Sequence, residues 1–520
     1  MSNNYDYDVI VIGGGGTGYA AASTAARRGV RTAMVEGGKL GGACLNVGCV
    51  PTKTLLRSAQ VADTARRAAE FGVRVGEVSV DFAVVTARMR DIVDGMSGEG
   101  PVKSLRDQNI EFFPEWASFE DAHTLRIGER RVTTRNVVIA SGSAPVVPNI
   151  PGLKESGFIT SDGALALDTL SESVVIVGGG AVGCEFASIF NSFGSDVTIV
   201  SSRLLEREDE ELGAELAEAF ARRGIRVLTD ARLTRVDRDG GRRVCTVRLA
   251  DGADQTLTSD VLLVAVGRRP NLDKLSPEAA GVELDEGRVK VNDEMRTTTT
   301  NIWAAGDAAG RLMYTHAGDM MGEVAGWNAA GGEPARRARL DVVPRPVYSI
   351  PAVAAVGLTI KEAEQVDCDV EIARVKYSDL SRAIINGETE GWCRIIARCD
   401  DGVILGASII GERADEMIGE LAFAMTAGVS SWVLGDSLHP YPTLSELVRW
   451  TADQLGKDDN GEDRPRPAPA THHPYSAALA EHLTRHTESD GLHSPASSVL
   501  TQAALERMGY GDEDDCADSS

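Results

Sequence analysis

The sequence predicts an α/β chain: two Rossmann-like dinucleotide-binding domains followed by an α+β domain. Three observations carry this reading. A pattern of apolar strand, glycine-rich turn, helix and second strand opens the chain at residues 8–36 and recurs at 173–203. From about residue 342 the character changes, with strand-like runs such as "CRIIAR" and "VILGASIIG" followed by the helix-like "DEMIGELAFAMTAG". The length, 520 residues, exceeds what one hydrophobic core usually serves and points to roughly two to four domains.

Residues 8–12, "DVIVI", read as a short buried strand that runs into "GGGGTG" and then the helix-like "YAAASTAARRG". A second strand, "RTAMVE", ends at Glu36. Gly13 allows the tight turn, Gly15 lets the backbone approach a pyrophosphate at the helix N-terminus, and Gly18 allows the helix to pack closely on the strand. Glu36 falls 23 residues after Gly13, where a carboxylate accepts hydrogen bonds from ribose hydroxyls. A glycine turn without a ligand is the alternative; both flanking strands and the acid weigh against it.

The second unit, "SVVIVGGGAVGCEFASIFNSFGSDVTIVSSR", repeats the pattern with Gly178, Gly180 and Gly183. Two units predict two dinucleotides. This strand ends in "SSR" instead of an acid. Ser201, Ser202 and Arg203 can hold a 2′-phosphate that a carboxylate would repel, which favours NADPH over NADH. The alternative is that Arg203 only covers a solvated surface. Two further segments fit a flavoprotein plan. "VVIASGSAPVVPNIPG" at 137–152 turns at Gly142, and "TTNIWAAGDAAG" at 299–310 presents Asp307 after a strand, where it could bind the ribityl chain of FAD. Gly267, in "VAVGRRP", joins the cofactor-binding set.

The bulk numbers exclude some functions. A net charge of −24 opposes binding to nucleic acid or an anionic membrane. The first residues, "MSNNYDYDVIVI", lack the basic n-region of a signal peptide, and no run of about 18 apolar residues suggests a membrane span. Cys184, Cys245, Cys368, Cys393, Cys399 and Cys516 read as isolated thiols, not a disulfide scaffold. Cys44 and Cys49, in "GGACLNVGCVPTK", are a close pair at the start of a helix-like stretch. In a reducing cytoplasm such a pair points to catalysis or metal binding. A helix N-terminus and the nearby Lys53 both stabilise a thiolate. A structural zinc site would need a second pair at metal spacing, which the sequence lacks.

With these motifs assembled, the chain resembles the class I pyridine nucleotide–disulfide oxidoreductases over roughly residues 6–456. The likeness rests on two dinucleotide fingerprints, a C-x4-C-x3-K signature, an A-x-G-D segment and a P-T-L-S-E segment, in family order. It implies FAD binding by residues 1–152 and 276–341, NAD(P)H binding by 153–275, and a dimerisation domain at 342–456. It also implies that Cys49 lies against the flavin as the charge-transfer thiolate and that Cys44 is the interchange thiol. Lys53 would contact the flavin and pair with Glu185. Hydride would pass from nicotinamide to flavin, and electrons then to a Cys44–Cys49 disulfide. The enzyme would be a homodimer in which one C-terminal domain completes the other subunit's active site.

One position departs from the thiol-disulfide reductases of that family. Where they carry a histidine before P-T-L-S-E, this chain has Tyr441; Glu446 remains and His439 stands two places upstream. Imidazole titrates near 7 and phenol near 10, so Tyr441 does not replace that histidine as the base for an organic leaving thiol. A tyrosine there is similar to mercuric reductase, for which reduced Cys44 and Cys49 would be soft ligands to Hg(II). The alternative gives His439 the base role and a disulfide as substrate. A third reading is a flavoprotein that has lost catalysis; the intact Cys44, Cys49, Lys53 and Glu185 speak against it. Residues 457–520 form an acidic tail after a proline-rich linker. It holds His472, His473, His482, His486, His493 and Cys516, where mercuric reductases end in two adjacent cysteines. His482 and His486 at i,i+4 could share a helix face and, with Cys516, collect a metal.

Overall fold

The computed structural model describes residues 5–310 and 312–457. The tail residues His472, His473, His482, His486, His493 and Cys516 lie outside the described residues. The described residues group into two compact units, 5–204 with 220–338 and 205–219 with 339–457. None of their helices is long and apolar enough to cross a membrane.

In the first unit, β1 (Tyr7–Ile12) leads through a glycine turn into α1 (Gly16–Arg27) and returns as β2 (Thr32–Val35). β1 and β2 are parallel, with Val9 opposite Thr32. Val9–Ile12 are all buried, which is why they read as a continuous apolar run and not as an alternation. β3 (Ile110–Phe113) extends the sheet beyond β2, and Arg130–Ile139 pairs with the other side of β1. Ile302–Ala304 then joins Arg130–Ile139, so a segment late in the chain returns to the first sheet. Ile10, Val35, Val137, Ile139 and Ile302 share its core. A second parallel sheet in the same unit has the order Arg226–Leu228, Asp196–Val200, Ser173–Val177 and Val261–Val264.

The cysteines do not open one helix. Cys44 lies in α2 (Gly42–Val47), and Cys49 is the first residue of α3 (Cys49–Arg67). Gly48 breaks the two at φ −138° and ψ −111°. A side chain at Gly48 would set its Cβ 2.9 Å from the Ala43 carbonyl oxygen, so the break requires glycine. Pro51 falls in the first turn of α3, where its missing N–H costs no helical hydrogen bond.

The second unit is an antiparallel five-stranded sheet in the order Arg345–Val347, Ala352–Gly357, Ile404–Gly411, Trp392–Arg398 and Val370–Lys376. The helices Ala414–Ala427 and Glu446–Asp453 pack on it around Val356, Ile395, Ile409, Leu421 and Leu447. Segment 205–219, expected inside the nicotinamide domain, groups with this sheet. Its acids explain why. Arg394, 2% exposed, donates to Asp209 and to Glu211 (2.9 Å), and Glu208 holds Arg345 through two bonds of 2.8 and 2.9 Å. A buried guanidinium left without these carboxylates would be strongly unfavourable. Arg394→Ala removes the cation and leaves the Asp209 carboxylate, 11% exposed, uncompensated, so it should lower stability by about 3–5 kcal/mol in urea denaturation. Arg90→Ala, at a pair with Asp168 that is 45% and 79% exposed, should leave the midpoint unchanged. Equal midpoints for the two variants would contradict the assignment.

Candidate active site

Both fingerprints fold to the same local geometry. Gly13 has φ 118° and Gly178 has φ 115°. A Cβ there would stand 2.1 Å from the Ala140 carbonyl oxygen and 2.3 Å from that of Ala265, respectively. Gly15 and Gly180 cap their helices with extended backbones and no side-chain cap, which leaves first-turn N–H groups for an anion. No atom lies within 4 Å of a Cβ built on Gly180, and only the Gly42 Cα, at 3.7 Å, on Gly15. Gly18 and Gly183 pack their helices on Gly13 and Gly178. Glu36 accepts from the amides of Gly14 and Gly38, both at 2.7 Å. At the equivalent place Ser201 accepts from Gly179 N at 3.0 Å and donates to the Arg203 carbonyl. Ser202 is exposed and Arg203 half-buried. These residues fit one dinucleotide at each fingerprint.

Gly142 and Gly267 flank a two-stranded link in which Ser143–Pro145 pairs with Arg268–Pro270. Asp307 accepts from Ser143 Oγ, which in turn accepts from Arg268 Nε at 2.7 Å. Ser143 and Arg268 were not singled out by the sequence.

Around the sulfurs, Lys53 Nζ donates to both oxygens of Glu185 at 2.9 and 2.8 Å, and the Glu185 side chain is only 8% exposed. In the dithiol pair, Cys44 donates a hydrogen bond to Cys49. That bond is the main reason the Cys49 thiol is drawn down to about 6, against the opposing effect of burial. Thr315, with Oγ1 3.4 Å from Cys49 Sγ, and the Lys53 ammonium act in the same direction, and the Glu185 carboxylate opposes them. The same bond pushes Cys44 up, with burial and Asp319 adding to it. Thr315 and Asp319 lie one turn apart on the helix Thr315–Ala329. Burial raises the Asp319 carboxyl, and its Oδ1 has no hydrogen-bond partner. Thr315 lies 266 positions from Cys49, and nothing local in the sequence marks it.

The C-terminal candidates belong to the other unit. Tyr441 is 72% exposed, and its hydroxyl donates to Ser381 Oγ at 3.4 Å. Glu446, buried, accepts from the Thr443 amide at 3.1 Å and so ties down its own loop. His439 is held elsewhere: Nε2 is 2.7 Å from Glu420 Oε1, and the side chain is 8% exposed.

Comparison with known proteins follows this geometry. A family model described as pyridine nucleotide-disulphide oxidoreductase matches residues 7–322, and its dimerisation-domain model matches 343–452. A mercuric reductase of Bacillus cereus is 32% identical over 458 residues, covering 88% of this chain and 72% of its own length. A dihydrolipoyl dehydrogenase of Chlorobaculum tepidum is 37% identical over 455 residues, covering 86% and 96%. The solved HOCl-induced flavoprotein disulfide reductase RclA from Escherichia coli is 30% identical, with a TM-score of 0.76 and 85% and 99% coverage.

In the two-thiol form, thiolate absorbance should appear with a midpoint near pH 6 and be lost below it, since the depressed group is Cys49. Cys44→Ala should move that midpoint upward by removing the largest stabilising contact. A midpoint unchanged by Cys44→Ala would assign the thiolate to another group.

Proposed function

The chain belongs to the pyridine nucleotide-disulphide oxidoreductases, and on that premise we propose that it is a metal-ion reductase. The family binds FAD and a pyridine nucleotide. In this reading NADPH reduces a Cys44–Cys49 disulfide, and the two sulfurs then reduce a soft ion such as Hg(II) or Cu(II). The observation that carries it is the state of residues 439 and 441. Reduction of an organic disulfide needs an acid near neutrality for the leaving thiol. The imidazole of His439 is engaged by Glu420, and position 441 offers an exposed phenol. Hg(II) held by two thiolates requires no such acid. It takes two electrons and leaves as Hg(0), and the sulfurs rejoin as a disulfide. Two Cu(II) ions would each take one electron.

FAD, when bound, relays the hydride equivalent from nicotinamide to the sulfur pair. Gly15 and the α1 N-terminus would take its pyrophosphate, Glu36 its ribose and Asp307 its ribityl chain. Gly180 would take the second pyrophosphate, and Ser201, Ser202 and Arg203 the 2′-phosphate of NADPH. In this reading residues 1–152 and 276–341 would bind FAD, 153–275 would bind the nicotinamide nucleotide and 342–456 would form the interface domain. Homodimer formation is supported by the match to a dimerisation domain and by Ile384, Ile385, Phe423 and Leu438, which are exposed in the second unit. Tyr441 and Glu446 would then face the partner's Cys44, where the phenol oxygen assists ligand exchange at the metal. A cytoplasmic location fits thiols that must stay reducible.

A second reading, a small-disulfide reductase, is favoured by one observation: the dihydrolipoyl dehydrogenase at 37% is more similar than the mercuric reductase at 32%. It requires the His439 side chain, only 8% exposed, to become accessible to the disulfide.

The test is NADPH oxidation in excess thiol, with and without Hg(II), beside glutathione, mycothiol and lipoamide disulfides. Mercury-dependent turnover is expected, reduced roughly tenfold by Tyr441→Phe and changed less than about twofold by His439→Ala. Turnover on a disulfide that His439→Ala abolishes would establish the second reading instead. Arg203→Ala should raise KM for NADPH by about tenfold and leave that for NADH unchanged, through loss of a charge-assisted contact. Equal effects on both would remove the 2′-phosphate role.

A further inference from the structure

A dinucleotide on this fold runs from its pyrophosphate at the N-terminus of α1 to its ribose at the acid that ends β2, so its base lies one step further out. That step is occupied by the loop after β3. The amide of Glu36 donates to the Phe113 carbonyl at 3.0 Å, so the loop leaves the sheet beside residues 36 and 37. Trp116 follows three residues later, with its indole against Gly37. A Cβ built on Gly37 would stand 2.4 Å from Cδ2 and 2.6 Å from both Cε2 and Cγ of that ring. Near-equal distances to three ring atoms mean that the indole face, not its edge, covers the Gly37 backbone. The ring is nonetheless 59% exposed. Lys274 is exposed, and its ammonium stands 4.6 Å from the ring centroid. Its flexible four-carbon stem can swing aside for a planar group.

An indole fixed by its backbone contact and still open to water is a ready surface for a nucleobase, since every base has a π-face to stack. We propose that Trp116 is the aromatic wall of the adenine subsite for FAD. The proposal rests on FAD occupying the first fingerprint. It also accounts for glycine at 37, because any side chain there would displace the indole from beside Glu36.

The test uses the full-length flavoprotein. FAD release after dilution is followed by the rise in flavin fluorescence. Trp116→Ala should release FAD about tenfold faster, and Trp116→Phe, which keeps an aromatic face, within about twofold of the parent. After the flavin is removed, ADP should quench the tryptophan fluorescence of the parent and not that of Trp116→Phe. FMN, which lacks adenine, should bind the parent and Trp116→Ala equally. Equal release rates for the parent and Trp116→Ala, or ADP quenching that survives Trp116→Phe, would overturn the assignment. A parent protein that purifies without FAD and cannot take it up would instead remove the premise.

Discussion

A buried carboxylate organises the surroundings of Cys49. Glu185 sits on the helix Ala181–Phe193, which begins at the second fingerprint, and its side chain is 8% exposed. Alone, its charge would be strongly unfavourable and would push the Cys49 thiol upward. Lys53 answers both problems through two hydrogen bonds. Because Lys53 follows Cys49 by four residues on α3, the ion pair that docks α3 on that helix also brings a cation near the sulfur. The break at Gly48 then lets Cys44 turn back and donate to Cys49, the strongest single influence on its thiolate.

The two fingerprints are one device used twice with one exchange. Each has a glycine at positive φ under a carbonyl of a neighbouring strand and an open helix N-terminus. Each ends its second strand with a side chain that accepts from the turn's second glycine. In the first, that acceptor is the Glu36 carboxylate; in the second, it is the Ser201 hydroxyl. A carboxylate suits ribose hydroxyls and repels a 2′-phosphate, whereas a hydroxyl followed by Arg203 presents the opposite electrostatics. The backbone presents the same open helix N-terminus at both places, and a few side chains make the two electrostatically different.

The strand–turn–helix units were legible because their determinants are local: apolar runs set the buried strands, and steric contact permits only glycine at the turns. Cys44, Cys49 and Lys53 stood out as one short motif, and Glu185 was marked only by the family resemblance. The parts that were not legible depend on contacts distant in sequence. Thr315 reaches Cys49 across 266 positions, and Glu420 takes His439 from a segment that reads only as helix-like. The break between α2 and α3 rests on a single glycine inside a helix-like stretch. Segment 205–219 reads as part of a nucleotide domain, and nothing local in it announces that its acids pair with Arg394 and Arg345.

The central claim is that Cys44 and Cys49 are a disulfide that a nicotinamide reduces through this site. The most direct measurement is iodoacetamide labelling of the oxidised flavoprotein before and after anaerobic addition of NADPH, with each cysteine read by peptide mass spectrometry. The account predicts that both cysteines are protected before NADPH and that Cys44 becomes labelled after it, while Cys184, Cys245 and Cys393, which are buried, do not change. Labelling of Cys44 that is the same with and without NADPH would contradict it.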